Sequence, residues 1–336
     1  MTDTAAPDTD PVEIPSIERI REVAATLSPR VLRTPTVPWS GFESPIRGDL
    51  LVKLECLQIT GSFKARGALN TLLQMPDLSS GVVAFSAGNH AIAAAWAGRE
   101  LGVDVTVVMP RSANAARVAR VESLGARLIF GESIADLFAI VEQLQREEGR
   151  ALFHPFEGPA IVEGTATVAL EAVEDAGEFD AVYVPIGGGG LIAGMAAAFK
   201  QLTPACRVIG VEPEGADGMR RSLANGSPLD EVIVDTIADS LGAPMHRPYT
   251  FSLVQQCVDD VVTVTDEQIR HAMRRLFADM KLAVEPACAS SLAALMEAGS
   301  EGRHAGDRVL VLACGSNIDT ASWCAHAALD PERVGK

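Results

Sequence analysis

The chain is poor in positive charge. Its 28 Lys plus Arg face 44 Asp plus Glu, a formal net charge of −16 over 336 residues. That deficit argues against nucleic acid or an anionic membrane as partner, because both are bound through clustered cations. Long apolar runs are lacking as well, and no uninterrupted stretch is long enough to span a bilayer. The N-terminus has no charged-then-apolar leader, so residues 1–15 are expected to form a disordered polar tail. The six cysteines (Cys56, Cys206, Cys257, Cys288, Cys314 and Cys324) contain no C-x-x-C pair and no small-domain disulfide spacing. Reduced thiols in a cytoplasmic protein are the expectation. Internal repeats and low-complexity blocks are also missing.

What is present is an ordinary globular balance, 48% apolar and 21% charged, in a chain long enough for two domains. Strand-like and helix-like segments alternate, the pattern of an α/β protein with a largely parallel sheet. A helix is expected at residues 17–27, a break at Arg33-Thr34-Pro35, a strand at 50–55 and helical spacing over 68–73. Strands at 82–85, 103–109, 126–130 and 151–154, with helices at 89–101, 114–124 and 134–145, would form a compact unit. The rhythm resumes with a helix at 167–176, a strand at 181–185, a helix at 191–202 and a strand at 208–211. Residues 225–249 read as irregular, and loops this long are usually functional or mobile. A strand at 259–264, helices at 266–280 and 289–297, a strand at 309–312 and a helix at 317–328 complete the chain.

Four strand ends carry unusual residues. In Thr60-Gly61-Ser62-Phe63-Lys64-Ala65-Arg66-Gly67, one lysine sits at a strand-to-helix turn beside an aromatic ring. Desolvation there would favour the neutral amine that Schiff-base chemistry requires; a solvated lysine opening a surface helix is the plainer alternative. Ser86-Ala87-Gly88-Asn89-His90 joins a strand to a helix, where N–H groups with Ser and Asn side chains suit a carboxylate. Simple capping by Ser86 or Asn89, with His90 an interior residue, explains the same residues. Gly187, Gly188, Gly189 and Gly190 follow a strand and precede a helix, and four glycines there favour a cradle for one phosphate over a flexible turn. The run matches neither the dinucleotide fingerprint nor the P-loop. Cys314-Gly315-Ser316-Asn317 closes the last strand, its thiol either facing a cofactor nitrogen or serving as a small buried hydrophobe.

Together and in this order, TGSFK, SAGNH, the tetraglycine and CGSN resemble the fold-type II pyridoxal phosphate (PLP) enzymes. More narrowly, the chain resembles the threonine/serine dehydratase and serine racemase group, from about Arg33 to Trp323. The resemblance implies two open, twisted, mainly parallel sheets flanked by helices, like the tryptophan synthase β chain. It implies a large cofactor-binding domain of residues 1–80 and 155–336, and a small inserted domain of residues 81–154. By the same resemblance Lys64 carries the cofactor as a Schiff base, Phe63 packs near its ring and Asn89 meets the ring hydroxyl. Residues Gly187, Gly188, Gly189 and Gly190 would hold the phosphate, and Cys314 would face the pyridine nitrogen. Ser86, Asn89 and His90 would receive the substrate carboxylate. The implied activity is dehydration of a threonine- or serine-like β-hydroxy amino acid to a 2-oxo acid and ammonia, with Lys64 as the base at the α-carbon. A β-replacement synthase of the cysteine-synthase type and a catalytically silent ligand-binding protein are the rivals.

Departures from the group's pattern carry expectations of their own. Where serine racemases place a second serine this chain has Ala87, so dehydration with little racemisation is expected. The group's divalent-cation site would fall on Glu212, Ala216 and Asp217, although Gly218 stands where a second aspartate is usual; a Mg²⁺ ion there and a plain surface acidic loop are the two alternatives. Glu163-Gly164-Thr165-Ala166-Thr167 and Ser240 also depart, in segments expected near the active site. A β-hydroxy amino acid other than threonine is therefore a candidate substrate, with an aryl, carboxylate or ectoine-derived side chain. With Lys336 as the last residue there is no room for an appended regulatory domain, and a catabolic homodimer is the expectation.

Overall fold

A computed structural model describes residues 11–41 and 43–328 of the chain. Residues 1–10 of the expected tail lie outside the described residues. Residues 11–15, expected to belong to the same tail, instead lie against the body. The Val12 N–H donates to Ser252 Oγ at 3.3 Å, and Val12 and Ile14 pack on the larger core.

The chain opens with α1 (Ile17–Leu27), β1 (Thr36–Pro38), β2 (Asp49–Lys53) and α2 (Lys64–Gln74). Then come β3 (Val82–Phe85), α3 (Asn89–Leu101), β4 (Val105–Pro110), α4 (Ala115–Ser123), β5 (Arg127–Gly131), α5 (Ile134–Glu148) and β6 (Ala151–Phe153). After these follow α6 (Pro159–Ala176), β7 (Ala181–Pro185), α7 (Gly190–Leu202), β8 (Arg207–Pro213), α8 (Gly218–Asn225) and α9 (Pro248–Cys257). The last elements are β9 (Asp260–Val264), α10 (Asp266–Met280), α11 (Pro286–Ser300), β10 (Arg308–Leu312) and α12 (Thr320–Ala327).

Two sheets result. The six-stranded sheet has the order β1-β2-β10-β7-β8-β9, parallel except for β1 at one edge. The four-stranded sheet, β5-β4-β3-β6, is parallel throughout and drawn entirely from the middle of the sequence. Its two faces follow from the strand alternation. In β3, Val82 and Ala84 face the alanine-rich α3, while Val83 faces Leu137, Val141 and Leu144 of α5. The α/β class with two mainly parallel sheets is the architecture the alternation and the resemblance imply.

Helix starts differ from expectation where packing overrides local pattern. Helix α2 begins at Lys64 itself rather than at 68, and α6 begins at Pro159 rather than at 167. Pro159 suits a first helical turn, where its missing N–H costs nothing. Gly164 is no breaker: a Cβ there would lie 2.7 Å from the Arg66 carbonyl oxygen and 2.8 Å from Gly67 Cα. The glycines let α2 and α6 touch backbone to backbone. Helix α9 follows the irregular stretch, its first turn capped by Glu157, whose carboxylate accepts from the Tyr249 and Thr250 N–H groups.

Helix α2 is further fixed by a buried ionic cluster. Arg66, 1% exposed, donates to both oxygens of Glu55 (2.9 and 2.8 Å) and to both of Glu171 (2.7 and 2.7 Å). Lys53 Nζ donates to Glu171 and to the Thr34 carbonyl, each at 2.7 Å. Removing one member would strand a charge in the core, a loss of about 3–5 kcal/mol. The element that carries Lys64 is therefore held rigidly from behind.

Candidate active site

The carboxyl ends of β2, β3, β7 and β10 all open into one cleft of about 460 Å³ between the two sheets. Ligands of open parallel sheets bind at such strand ends. Phe63, Lys64, Ser86, Asn89, His90, the four glycines and Cys314 all line it, so every residue singled out as cofactor- or substrate-binding converges there.

Lys64 opens α2, its Nζ donating to the Pro155 carbonyl at 2.7 Å and lying 5.2 Å from the Phe63 ring centroid. Burial pulls its ammonium down to about 8, against the opposing charges of Cys314 and Glu285. The amine is thus closer to its nucleophilic, neutral form than a surface lysine. Across the cleft, Gly189 (φ +96°) caps α7, and added side chains would not fit the run. A Cβ on Gly188 would lie 2.2 Å from the Phe156 ring, and one on Gly190 would lie 2.6 Å from the Phe156 carbonyl oxygen. Among the described residues no protein group accepts from the N–H groups of these four glycines. A helix start with free amides and no side chains is an anion cradle.

At the end of β3, Ser86 Oγ accepts from the Gly88 N–H at 3.1 Å and α3 starts at Asn89. His90 Nε2 sits 3.0 Å from the Phe153 carbonyl, which only accepts, so Nε2 carries the proton. Burial, aided by the Lys64 charge, drives its imidazolium down to about 3, and the ring is neutral. Its remaining nitrogen is an acceptor. A carboxylate at this end is offered the Ser86 hydroxyl and the first amides of α3 rather than the imidazole.

The chain matches the family described as "Pyridoxal-phosphate dependent enzyme" over residues 27–315. It is 46% identical to the phenylserine dehydratase of Ralstonia pickettii over 323 residues, 95% of this chain and 98% of that protein. It is 35% identical to a catabolic L-threonine dehydratase of Staphylococcus aureus, covering 91% of this chain and 90% of the other. The structure of maize serine racemase superposes with a TM-score of 0.86 at 36% identity, covering 92% of this chain and 96% of that one. The chain belongs to the PLP-dependent enzymes.

Its place among them is the threonine dehydratase and serine racemase group. The residues present fit PLP: a buried amine on a rigid helix start, and a glycine cradle that a single Cβ would fill. One position differs from the expectation that the last helix starts at 317, just after Cys314. Cys314 does not stand at a helix start, because Asp319 caps α12 through the Ser322 N–H and the helix begins only at Thr320. Ser240 lines the cleft, whereas Thr165 reaches the glycine run from behind, its hydroxyl donating to the Gly190 carbonyl at 2.8 Å.

The magnesium expectation at Glu212, Ala216 and Asp217 is not supported. Both Glu212 oxygens accept, at 2.8 Å each, from the N–H groups of Met219 and Arg220 in the first turn of α8. Asp217 is paired with Arg220 and Arg221. Among the described residues no cluster of three or more His, Cys, Asp or Glu could hold a metal ion. Glu212 serves as a cap for the first turn of α8.

Several lining residues escaped the sequence reading. Glu285 is fully buried just ahead of α11, and Phe85, Phe138, Leu137 and Ile134 wall the small-sheet side. Arg117 of α4 crosses to Asp239 at 2.5 Å and to the Asn317 carbonyl at 3.0 Å. For Glu285 a signal existed: Glu-Pro before an apolar run marks a helix start. The aromatic wall has none, since its members are far apart in sequence.

Proposed function

We propose that this protein dehydrates a β-hydroxy amino acid with an aryl-sized apolar substituent at the β-carbon, giving a 2-oxo acid and ammonia. The observation that carries the reading is Lys64, a buried amine of lowered proton affinity, facing a side-chain-free anion cradle in one cleft. When bound, PLP supplies the electron sink that makes the α-proton acidic and the β-hydroxyl a leaving group. Lys64 would hold the cofactor through its Nζ, and the same amine, when neutral and free, would be placed to accept the α-proton. Residues 187–190 would hold the phosphate on their amides, Phe63 would pack at the ring, Asn89 would serve the ring hydroxyl and Cys314 the ring nitrogen. The Ser86 hydroxyl and the N–H groups of Asn89 and His90 orient the substrate carboxylate. Ala87 has no proton to give, which favours elimination over racemisation.

The aryl preference rests on the small-sheet wall. Phe85 and Phe138 meet edge to face at 5.0 Å, and Phe85, His154 and Phe156 continue the string at 5.8 and 4.6 Å. Burial drives His154 down to about 3, so this string carries no charge. The cations lining the cleft are Lys64 and Arg117, and Arg117 is committed to Asp239. A β-carboxylate would find no uncommitted cation besides Lys64 among the described lining residues, whereas a phenyl group would find ring edges. The phenylserine dehydratase relative supports the same choice. The reading includes a large domain of residues 1–80 and 155–336, a small one of 81–154, and a cytoplasmic homodimer. Supporting it are the separate sheets and six free cysteines, five of them buried.

Ammonia and 2-oxo acid release from a panel of β-hydroxy amino acids tests the reading. Phenylserine should exceed threonine, and threonine should exceed hydroxyaspartate, in kcat/KM. Thioether formation from an added thiol without ammonia release would show a replacement enzyme instead.

A further inference from the structure

Two glycines in the signature turns make room for polar side chains that the proposed mechanism does not use. A Cβ on Gly61 (φ +75°) would lie 2.5 Å from Asn317 Oδ1, and one on Gly315 would lie 2.4 Å from Glu285 Oε1. Those two side chains close on Asn89 from opposite sides. Asn317 Nδ2 donates to the Thr60 carbonyl at 2.9 Å and to Asn89 Oδ1 at 2.6 Å. Asn89 Nδ2 in turn donates to Glu285 Oε1 at 2.6 Å. Asn89 is 5% exposed and Glu285 is fully buried, so the chain of bonds is screened from water.

The direction of this chain is forced from its Thr60 end. The Thr60 carbonyl only accepts, so Asn317 must turn its NH₂ toward it, and the second hydrogen of that NH₂ faces Asn89. Asn89 must then present its oxygen to Asn317 and its own NH₂ to Glu285, which accepts. One hydrogen of Asn89 Nδ2 is left over, at the wall of the cleft. Either amide, taken alone, could rotate by half a turn and exchange donor for acceptor. Linked in series to the Thr60 carbonyl, neither can.

We infer that Glu285 and Asn317 are positioning residues that lock the Asn89 carboxamide with its free N–H aimed at the ring hydroxyl of the cofactor. The inference rests on the PLP reading above and adds the reason that the donor cannot become an acceptor. Glu285 Oε2 has no hydrogen-bond partner, and the Arg117 guanidinium approaches it only to 3.8 Å. Lys64, Asp239, Cys56 and Cys288 are the other ionisable groups that face this carboxyl. Burial raises Glu285 to about 7, so its charge is variable near neutrality while its acceptor role is not. An amide in its place would keep the acceptor and lose only the charge.

The test uses the PLP-loaded enzyme and three nearly isosteric variants. For each, the ratio of the cofactor's two absorption bands, its dissociation constant and the thermal midpoint of the cofactor-free protein are measured. Glu285→Gln should keep the band ratio and hold cofactor affinity within about threefold, since its amide oxygen still accepts. Glu285→Met and Asn317→Asp should both shift the band ratio and weaken cofactor binding roughly 10- to 100-fold, as lost supporting bonds do. The second effect is the sharper one, because aspartate would place an acceptor against two acceptors. A wild-type band ratio and affinity in Asn317→Asp, or a change in Glu285→Gln as large as that in Glu285→Met, would overturn the inference. Failure of the wild-type protein to load PLP on Lys64 would instead sink the functional reading, which keeps the two outcomes apart. Changes in thermal midpoint without spectral change would mark a merely structural role and also overturn it.

Discussion

The two walls of the cleft are built from different materials. The wall from the six-stranded sheet presents backbone amides, one amine and one thiol, and buried polar bonds stand behind the amine and the amides. Arg66 ties down the helix of Lys64, and Thr165 ties down the Gly190 carbonyl. The wall from the four-stranded sheet offers a serine, the first turn of α3 and a patch of aromatic edges. One wall is specified by covalent and anionic chemistry, which tolerates little change. The other is specified by shape and polarity, which can vary while the reaction stays the same. On the proposed function, the attachment lysine and the phosphate cradle lie on one wall and the aryl-binding edges on the other, with Asn89 of the second wall reaching the cofactor ring.

Breaking the first wall should have the largest effect. Lys64→Ala should lower turnover by about 10⁴-fold or more, since it removes both the attachment point and the base; ammonia release measures it. Gly188→Ala comes next, because its Cβ would press on the Phe156 ring at 2.2 Å. Cofactor affinity should fall about 100-fold, read by equilibrium dialysis, with threonine and phenylserine turnover reduced alike. Breaking the second wall should separate the substrates. Phe138→Ala should cost about 10-fold in kcat/KM for phenylserine and leave threonine within about twofold, the size of a lost hydrophobic contact. Equal losses for both substrates would mean that the walls are not independent.

The smallest effect should come from metal. Chelators should leave turnover unchanged, and Glu212→Ala should lower stability by about 1–2 kcal/mol in denaturant unfolding through the lost cap of α8. A magnesium requirement would contradict that assignment.

How much of this was legible in the sequence differs between the walls too. Asn89, the tetraglycine and Cys314 follow closely on strand ends and Lys64 opens a helix after a glycine turn, so their turn residues singled them out as candidates. The strand-helix alternation that orders both sheets was legible for the same reason. The aromatic wall was not, because Phe85 and Phe138 are brought together only when α5 packs under β3. The partnership of Glu285, Asn89 and Asn317 likewise exists only across elements remote in sequence. Helices α2 and α6 start earlier than the sequence expectation, and Gly67 and Gly164 lie in the added turns, where they let the two backbones touch. The acidic run at Glu212 looked like a cation site because carboxylates that cap a helix and carboxylates that bind a metal share a composition. Only their hydrogen-bond partners tell them apart.

The account as a whole depends on where the cofactor is attached. Protein supplied with PLP, reduced with borohydride and digested should yield one pyridoxyl-modified peptide by mass spectrometry, with the adduct on Lys64. An adduct on another lysine, or no adduct at all, would contradict it.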